Sequence, residues 1–370
     1  MVVMMRIVIK IGSNIITKNL HLNEERLSSL AGEVSELWQA GHEVVIVSSG
    51  AIAAGMGKLN LQERPREIEL KQAVAAVGQS ALIWAYEKAF SRYNLKVAQI
   101  LLTAEDFSSR TRYINSRNTI LTLLGLRITP IINENDTVAT DEIKFGDNDN
   151  LSALVGGLIG AERLIILSDV DGLFDKDPAV YSDARLIRQV LAKDLKEKEF
   201  FRIAGGSSTK VGTGGMYSKL VAAKKAVEYG ITVQIINGRK EGLLRKVLGG
   251  EEIGTVIIPG KERISSRKGW IAFGARAKGS LVIDDGAVKA ITEMGKSLLP
   301  SGILNVHGSF DTGDAVYCVS KSGAKIAKGL TNYSSAEIKR IKGRKTSEIE
   351  EVLGYKYSDE VIHRDNMIIL

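Results

Sequence analysis

The 370-residue chain has one cysteine, Cys318, so no disulfide can close within it. Its four histidines (His21, His42, His307 and His363) are scattered, and no two stand at metal-ligand spacing. These scarcities argue against a zinc enzyme and against dithiol redox chemistry. No apolar run reaches the roughly 18 residues of a membrane span. The first apolar segment, Arg6-Ile7-Val8-Ile9-Lys10, is too short for a signal-peptide core and lacks a cleavage site. The expectation is a cytoplasmic enzyme with no membrane association. Excess charge is also modest: +7 over the whole chain, with an isoelectric point near 9.2. That favours anionic ligands without separating nucleotides from nucleic acid. Internal repeats and low-complexity tracts are missing too.

What is there reads as an ordinary globular enzyme, 44% hydrophobic and 25% charged. The length exceeds the ~250–300 residues at which a single core stops growing, so two domains are expected. Residues 1–260 alternate strand and helix, the pattern of a mainly parallel sheet in a three-layer αβα sandwich. Strands are predicted at Arg6–Ile11, Glu43–Ser48, Lys96–Leu102, Ile128–Ile132, Arg163–Leu167 and Thr232–Ile236. Most are continuous apolar runs, as expected of strands covered on both faces. Leu27, Leu30, Val34, Leu37 and Trp38 recur at helical spacing, with Gly41 as a stop, and a second helix is predicted from about Ile68 to Phe90. A basic stretch, 261–277, reads as a linker. Residues 278–370 hold short β-like runs (Ser280–Ile283, Gly302–Val306, Ala315–Ser320, Ile326–Leu330) with turns such as Asp284-Asp285-Gly286. They suggest a small barrel-like domain with a charged helix over about 335–353.

Polar, glycine-rich loops follow several strand ends, where open α/β sheets bind ligands. Lys10 ends the first strand and is followed by Gly12-Ser13-Asn14, a glycine for close backbone approach and two possible donors to a phosphate. Gly212-Thr213-Gly214-Gly215-Met216-Tyr217-Ser218-Lys219 leads into a helix, so its amides and Lys219 suit an anion. It is not a P-loop, and the nearby Gly205–Lys210 stretch lacks that spacing as well. Asn133-Glu134-Asn135-Asp136, Asp141-Glu142 and Gly146-Asp147-Asn148-Asp149-Asn150 form a polar run that closes into an apolar helix. EF-hand spacing fails there, and the amides and carboxylates suit an amino-acid ligand. Ser168-Asp169-Val170-Asp171-Gly172 also fails as a calcium loop and could instead hold a nucleotide's ribose or base.

In this order the segments resemble the amino acid kinase family. The resemblance is carried by Val8-Ile9-Lys10-Ile11-Gly12, Ser48-Ser49-Gly50-Ala51-Ile52-Ala53-Ala54-Gly55, Ala75-Ala76-Val77-Gly78-Gln79-Ser80, Ile132–Asp136, Gly146–Ala153 and Gly212–Lys219. The C-terminal part, with Ser297-Leu298-Leu299-Pro300-Ser301-Gly302-Ile303, is similar to a PUA domain. The match implies ATP-dependent phosphorylation of the γ-carboxylate of L-glutamate, the first step of proline synthesis. By similarity Lys10 and Lys219 would flank the transferring phosphoryl group, with Asp149 holding them. Ser49, Gly50, Asn133, Asp136 and Asn148 would hold glutamate. Lys10, Gly12, Ser13, Ser168, Asp169 and Thr213 through Lys219 would hold ATP. Mg²⁺ would ride on phosphates and water, with no metal ligands supplied by the protein. The family further implies feedback inhibition by proline and a homo-oligomer, dimer or tetramer. Asn14 stands where relatives usually carry Ser, and Phe174 where Tyr is common. Two rivals stay open: another kinase of the same family, such as one acting on acetylglutamate, aspartate or a nucleoside monophosphate, and an RNA-binding protein. For the latter, Lys339, Arg340, Lys342, Arg344 and Lys345 form a basic cluster. The acids Glu348, Glu350 and Glu351 follow it, so a solvated helix face is the preferred reading.

Overall fold

The structure, a computed structural model, describes residues 4–19, 21–138, 148–196, 215–260 and 266–370. Contacts divide the chain into two units, Met1–Asp106 with Thr111–Arg263, and Phe107–Arg110 with Ile264–Leu370.

The first unit is built on eight described strands: β1 (Arg6–Ile11), β4 (Glu43–Ser48), β5 (Lys96–Leu102), β6 (Ile128–Glu134), β7 (Arg163–Ser168), β8 (Gln189–Leu191), β9 (Thr232–Asn237) and β10 (Thr255–Ile258). A two-stranded hairpin, β2 (Thr17–Lys18) and β3 (His21–Leu22), stands apart. The order across the main sheet is β5-β6-β4-β1-β7-β9-β10-β8. All neighbours are parallel except β9 and β10. The chain runs from β1 outward to β4 on one side, and later to β7 on the other. The order therefore reverses at β1, and the carboxyl ends of β4, β1 and β7 frame a switch-point crevice.

The continuous apolar strands are buried as their sequences require: Ile7, Val8, Ile9 and Ile11 are fully buried, as are Val44–Val47 and Leu164–Ile166. The helix Glu24–Gln39 starts where the Asn23 side chain accepts the Arg26 N–H at 3.0 Å. It buries Leu27, Leu30, Val34, Leu37 and Trp38, and the chain turns away at Gly41, φ +88°. It packs with helix Ile68–Ser91, which in turn lies against helix Ala51–Lys58 and β5. Helices Asn148–Ile159 and Met216–Glu228 pack on each other and on β1, β7 and β9. These two helix layers enclose the sheet.

Helices Ala51–Lys58 and Ile68–Ser91 approach each other more closely than any side chain would permit. A Cβ on Gly78 would overlap the Ala51 carbonyl oxygen, and one on Gly55 would overlap the Val74 carbonyl oxygen.

Strand ends reach further than hydrophobicity predicts. β6 continues through Asn133 and Glu134, β7 through Ser168 and β9 through Asn237, because ladder pairing continues after the apolar residues stop. The short strands β8 and β10 and the hairpin carry too few residues for a periodic signal.

The second unit has a five-stranded sheet in the order β12-β11-β13-β14-β15, with β11 (Ala277–Ile283), β12 (Ile303–Gly308), β13 (Ala315–Val319), β14 (Lys325–Leu330) and β15 (Met367–Ile369). β11 and β13 are parallel and the other pairs antiparallel. Its own core gathers Leu281, Ile283, Val316, Cys318, Tyr333, Ile338 and Ile362. Burial pushes the Cys318 thiol up to about 12, which makes it a packing residue.

The structure adds detail at two stretches. The stretch 261–277, read as a linker, is helical over Ser266–Gly269 and again over Trp270–Gly274, where Trp270 and Ile271 are buried within the second unit. The apolar residues Trp270, Ile271 and Phe273 lie in one short run after the cations and give no period; 261–265 lie outside the described residues. The charged helix over 335–353 is in fact two: Ser335–Ile341, closed at its start by a Ser334–Glu337 capping box, and Ile349–Leu353 after a 3₁₀ turn. Gly343, φ +75°, separates them. The basic cluster is partly engaged within its domain. Arg344 pairs with Glu348 at 3.6 Å, Lys342 donates to Asn305, and Arg340 donates to the Val352 carbonyl.

Candidate active site

The crevice is organised around one carboxylate. Asp149 lies in the first turn of helix Asn148–Ile159 and is fully buried. Lys10, at the carboxyl end of β1, brings its Nζ to 2.6 Å from Asp149 Oδ1. Lys219, from the first turn of helix Met216–Glu228, brings its Nζ to 3.2 Å from Oδ2. Only 6% of Lys10 and 5% of Lys219 reach solvent, so screening is weak. The Ser218 hydroxyl lies 2.9 Å from Oδ2 and 2.8 Å from the Gly215 carbonyl oxygen. Burial opposes ionisation of Asp149. The charges of Lys10 and Lys219, with hydrogen bonds from Lys10 and Ser218, outweigh it and hold the carboxyl below its ordinary range. The trio carries one net positive charge in a nearly dry place.

The nucleotide-side candidates lie around this trio. Gly12 leaves space above β1: a Cβ there would meet only ordinary contacts, at 3.6 Å from the Leu167 carbonyl oxygen and 3.8 Å from Lys10 Nζ. Ser13 begins the short helix Ser13–Ile16, and its carbonyl oxygen accepts from the Thr17 hydroxyl. Gly215 precedes helix Met216–Glu228 in extended conformation with no side-chain cap, so that cap leaves the first-turn amides to other acceptors. Met216 is half-buried and Tyr217 exposed. Ser168 is buried at the end of β7, and Asp169, exposed beside it, faces the Asn14 amide at 3.4 Å. Thr213 and Gly214 lie outside the described residues, as do Gly212, Asp141, Glu142, Gly146 and Asp147.

A chain of amides forms the other half. Asn148 Nδ2 lies 3.0 Å from the Ser48 carbonyl oxygen, 2.9 Å from Ser49 Oγ and 2.8 Å from Asn133 Oδ1. Asn133 Nδ2 donates to Gln79 Oε1 at 2.8 Å. Gly50 takes φ +112° to turn the chain from β4 into helix Ala51–Lys58, which places Ser49 at the crevice. Asp136 sits in the turn after β6. The structure thus brings together Lys10, Asp149, Lys219 and Ser218 on one side, and Ser49, Asn133 and Asn148 on the other.

Three residues went unnamed as site members. Gln79 was legible only within the Ala75–Ser80 stretch. Tyr86, fully buried, meets Ser48 Oγ at 2.8 Å and braces the end of β4; burial drives its phenol well above the ordinary value. Arg26, from the helix Glu24–Gln39, donates to the carbonyl oxygens of Gly238 (2.9 Å) and Lys240 (3.3 Å) after β9. Its sequence context is an ordinary amphipathic helix, which hides that role. Among the described residues, no group of three or more His, Cys, Asp or Glu is placed to hold a metal ion, and no helix is long and apolar enough to cross a membrane.

Residues 5–237 match the model of the amino acid kinase family, and residues 279–353 match the PUA domain. A protein of Caldanaerobacter subterraneus subsp. tengcongensis named glutamate 5-kinase is 53% identical over 99% of this chain and 98% of its own length. One of that name from Geobacter sulfurreducens is 51% identical over 99% of this chain and 97% of its length. Among solved structures, a carbamate kinase from Giardia lamblia bound to AMP-PNP superposes with a TM-score of 0.51 at 17% identity, over 70% of this chain and all of that one, a likeness of fold. The chain is a kinase of the amino acid kinase family, a homologue of glutamate 5-kinases that carries a PUA domain.

Proposed function

We propose that the protein transfers the γ-phosphoryl group of ATP to the γ-carboxylate of L-glutamate, giving L-glutamyl 5-phosphate and ADP as the first step of proline biosynthesis. The observation that carries this reading is the buried Lys10–Asp149–Lys219 trio next to a chain of amide side chains, with relatives of that name matching along almost the whole chain.

The nucleophile is a carboxylate already ionised at neutral pH, so no general base is required. One carboxylate oxygen bonds to the γ-phosphorus, the bond from that phosphorus to the β–γ bridging oxygen breaks, and ADP leaves with the electron pair. The protein's task is to bring two anions together and to balance charge on the transferring group. Lys10 and Lys219 do this from opposite sides of Asp149, which keeps both ammoniums in the crevice. Ser218, on Asp149 Oδ2, couples the start of helix Met216–Glu228 to that carboxylate. Gly12, Ser13, Ser168, Asp169 and the 213–219 segment are assigned to ATP, with Thr213 and Gly214 taken from the sequence alone. Ser49, Gly50, Asn133, Asp136 and Asn148 are assigned to glutamate. The Asn148 amide donates into the protein, which leaves its Oδ1 as an acceptor for an ammonium group. Mg²⁺ fits this donor set as a companion of the nucleotide, held by phosphate oxygens and water.

The proposed division is a kinase domain over 1–260 and a PUA domain over 278–370. Cytoplasmic location, feedback inhibition by proline and assembly as a dimer or tetramer belong to the same reading. A substrate panel tests the core of it. ADP release with free L-glutamate, and little with N-acetylglutamate, aspartate or nucleoside monophosphates, is expected. Turnover of acetylglutamate but not glutamate would overturn the assignment.

A further inference from the structure

Three amide side chains are wired in one direction. The backbone N–H of Glu134 donates to Asn133 Oδ1 at 2.9 Å, which fixes the orientation of the Asn133 amide. Asn133 Nδ2 must then point away from that oxygen, and it donates to Gln79 Oε1 at 2.8 Å. Gln79 is therefore the acceptor in this pair, and its own Nε2 faces elsewhere. That nitrogen is buried and has no hydrogen-bond partner, in a residue that is 8% exposed. A buried amide donor pair without acceptors costs stability and calls for an occupant.

Gln79 is held there by backbone geometry. It follows Gly78, whose lack of a side chain lets helix Ile68–Ser91 rest on the Ala51 carbonyl, two residues past Ser49. The Gln79 side chain then spans to Asn133 at the end of β6. β6 lies two strands from β1 in the sheet, about 10 Å at ordinary strand spacing. In the proposed reaction, a glutamate whose γ-carboxylate met Lys10 and whose other end ran along the amide chain would point that end toward this side.

We infer that Gln79 is a substrate-binding residue that donates through Nε2 to the α-carboxylate of the amino-acid substrate while its Oε1 holds Asn133. The inference rests on the proposed glutamate kinase activity. Its signature is an order of effects. Gln79→Glu keeps an oxygen for Asn133 but sets a negative charge where the donor stood. Gln79→Met keeps the length and loses both functions. A donor to a carboxylate gives a KM for glutamate that rises from wild type to Gln79→Met to Gln79→Glu, the last by about tenfold or more, since a hydrogen bond to a charged group is replaced by repulsion. The KM for ATP stays within about threefold of wild type. A residue that merely holds Asn133 gives a different order: Gln79→Glu close to wild type and Gln79→Met impaired. Steady-state kinetics of the full-length chain with both substrates varied decide the matter, because KM is independent of the folded fraction of a preparation. Any order other than the first overturns the inference. Failure of the wild type itself to turn over glutamate would instead remove the underlying reading of function, and the inference with it.

Discussion

Lys10 and Lys219 approach opposite oxygens of one buried carboxylate, at 2.6 and 3.2 Å, from strands and helices far apart in the chain. Each lysine alone would be an expensive cation to bury. Shared by Asp149 they form a unit with one charge to spare, which in the proposed reaction meets the phosphoryl group. Lys10→Ala and Lys219→Ala should each lower kcat by ~10²–10³, the loss expected when a donor aimed at transition-state charge is removed. Near-full turnover in either variant, measured as ADP release at saturating substrates, would remove that lysine from the catalytic set.

Asp149→Asn separates orientation from binding. The amide leaves both lysines in place but no longer anchors them, so kcat should fall more than the KM for glutamate rises. A change confined to KM would make Asp149 a substrate ligand. A pH series gives a second readout. The carboxyl is held below its ordinary range in the folded protein. Its ionisation therefore stabilises the fold above about pH 3.9, the unfolded value, and that contribution fades as pH falls through the lower folded value. Thermal unfolding should show a Tm gap between wild type and Asp149→Asn that is constant above about pH 5 and narrows below about pH 4.

The strands of the first unit were legible because burial on both faces leaves continuous apolar runs, and β1, β4 and β5 end at the residues hydrophobicity predicts. Lys10 was picked out by its place at the end of such a run before Gly12-Ser13-Asn14, and its role came from the family resemblance. Gln79 and Tyr86 were not. Each sits in a long helix whose polar residues look interchangeable from sequence, and only the approach of that helix to β4 and β6 brings them to the crevice. Within 261–277 Trp270 and Ile271 are buried, but the stretch has no clear period that would mark them in sequence.

His42 supplies a pH-sensitive contact outside the crevice. It is buried, and its Nδ1 accepts the Met5 backbone N–H at 3.3 Å. Burial holds its pKa below the ordinary value. The unfolded chain therefore takes up a proton first as pH falls below about 6.5, and stability declines from there until the folded-state value is passed. His42→Asn should flatten the stability curve between pH 6.5 and 5 relative to wild type in urea denaturation series. An unchanged slope would show that His42 does not titrate differently in the two states.

Gly78 and Gly125 test whether the close helix approach near Gln79 is a structural requirement. Gly78 faces the Ala51 carbonyl with no room for a methyl group, and both residues lie beside the Ser49–Gly50 turn. Gly78→Ala must push helix Ile68–Ser91 away from helix Ala51–Lys58, at a cost of about 3 kcal/mol or more, the upper end for overpacking. Gly125, at the end of helix Arg110–Gly125, has nothing within 4 Å of an added Cβ and no positive φ, so Gly125→Ala should be neutral or stabilising by up to about 1 kcal/mol. Chemical denaturation compares the two directly. Because Gly78 also sets where Ser49 and Gln79 stand, the folded fraction of Gly78→Ala should show a raised KM for glutamate with the KM for ATP little changed. Equal stability of the two variants would mean that the helices can separate freely, and that their contact does not position the amino-acid side of the crevice.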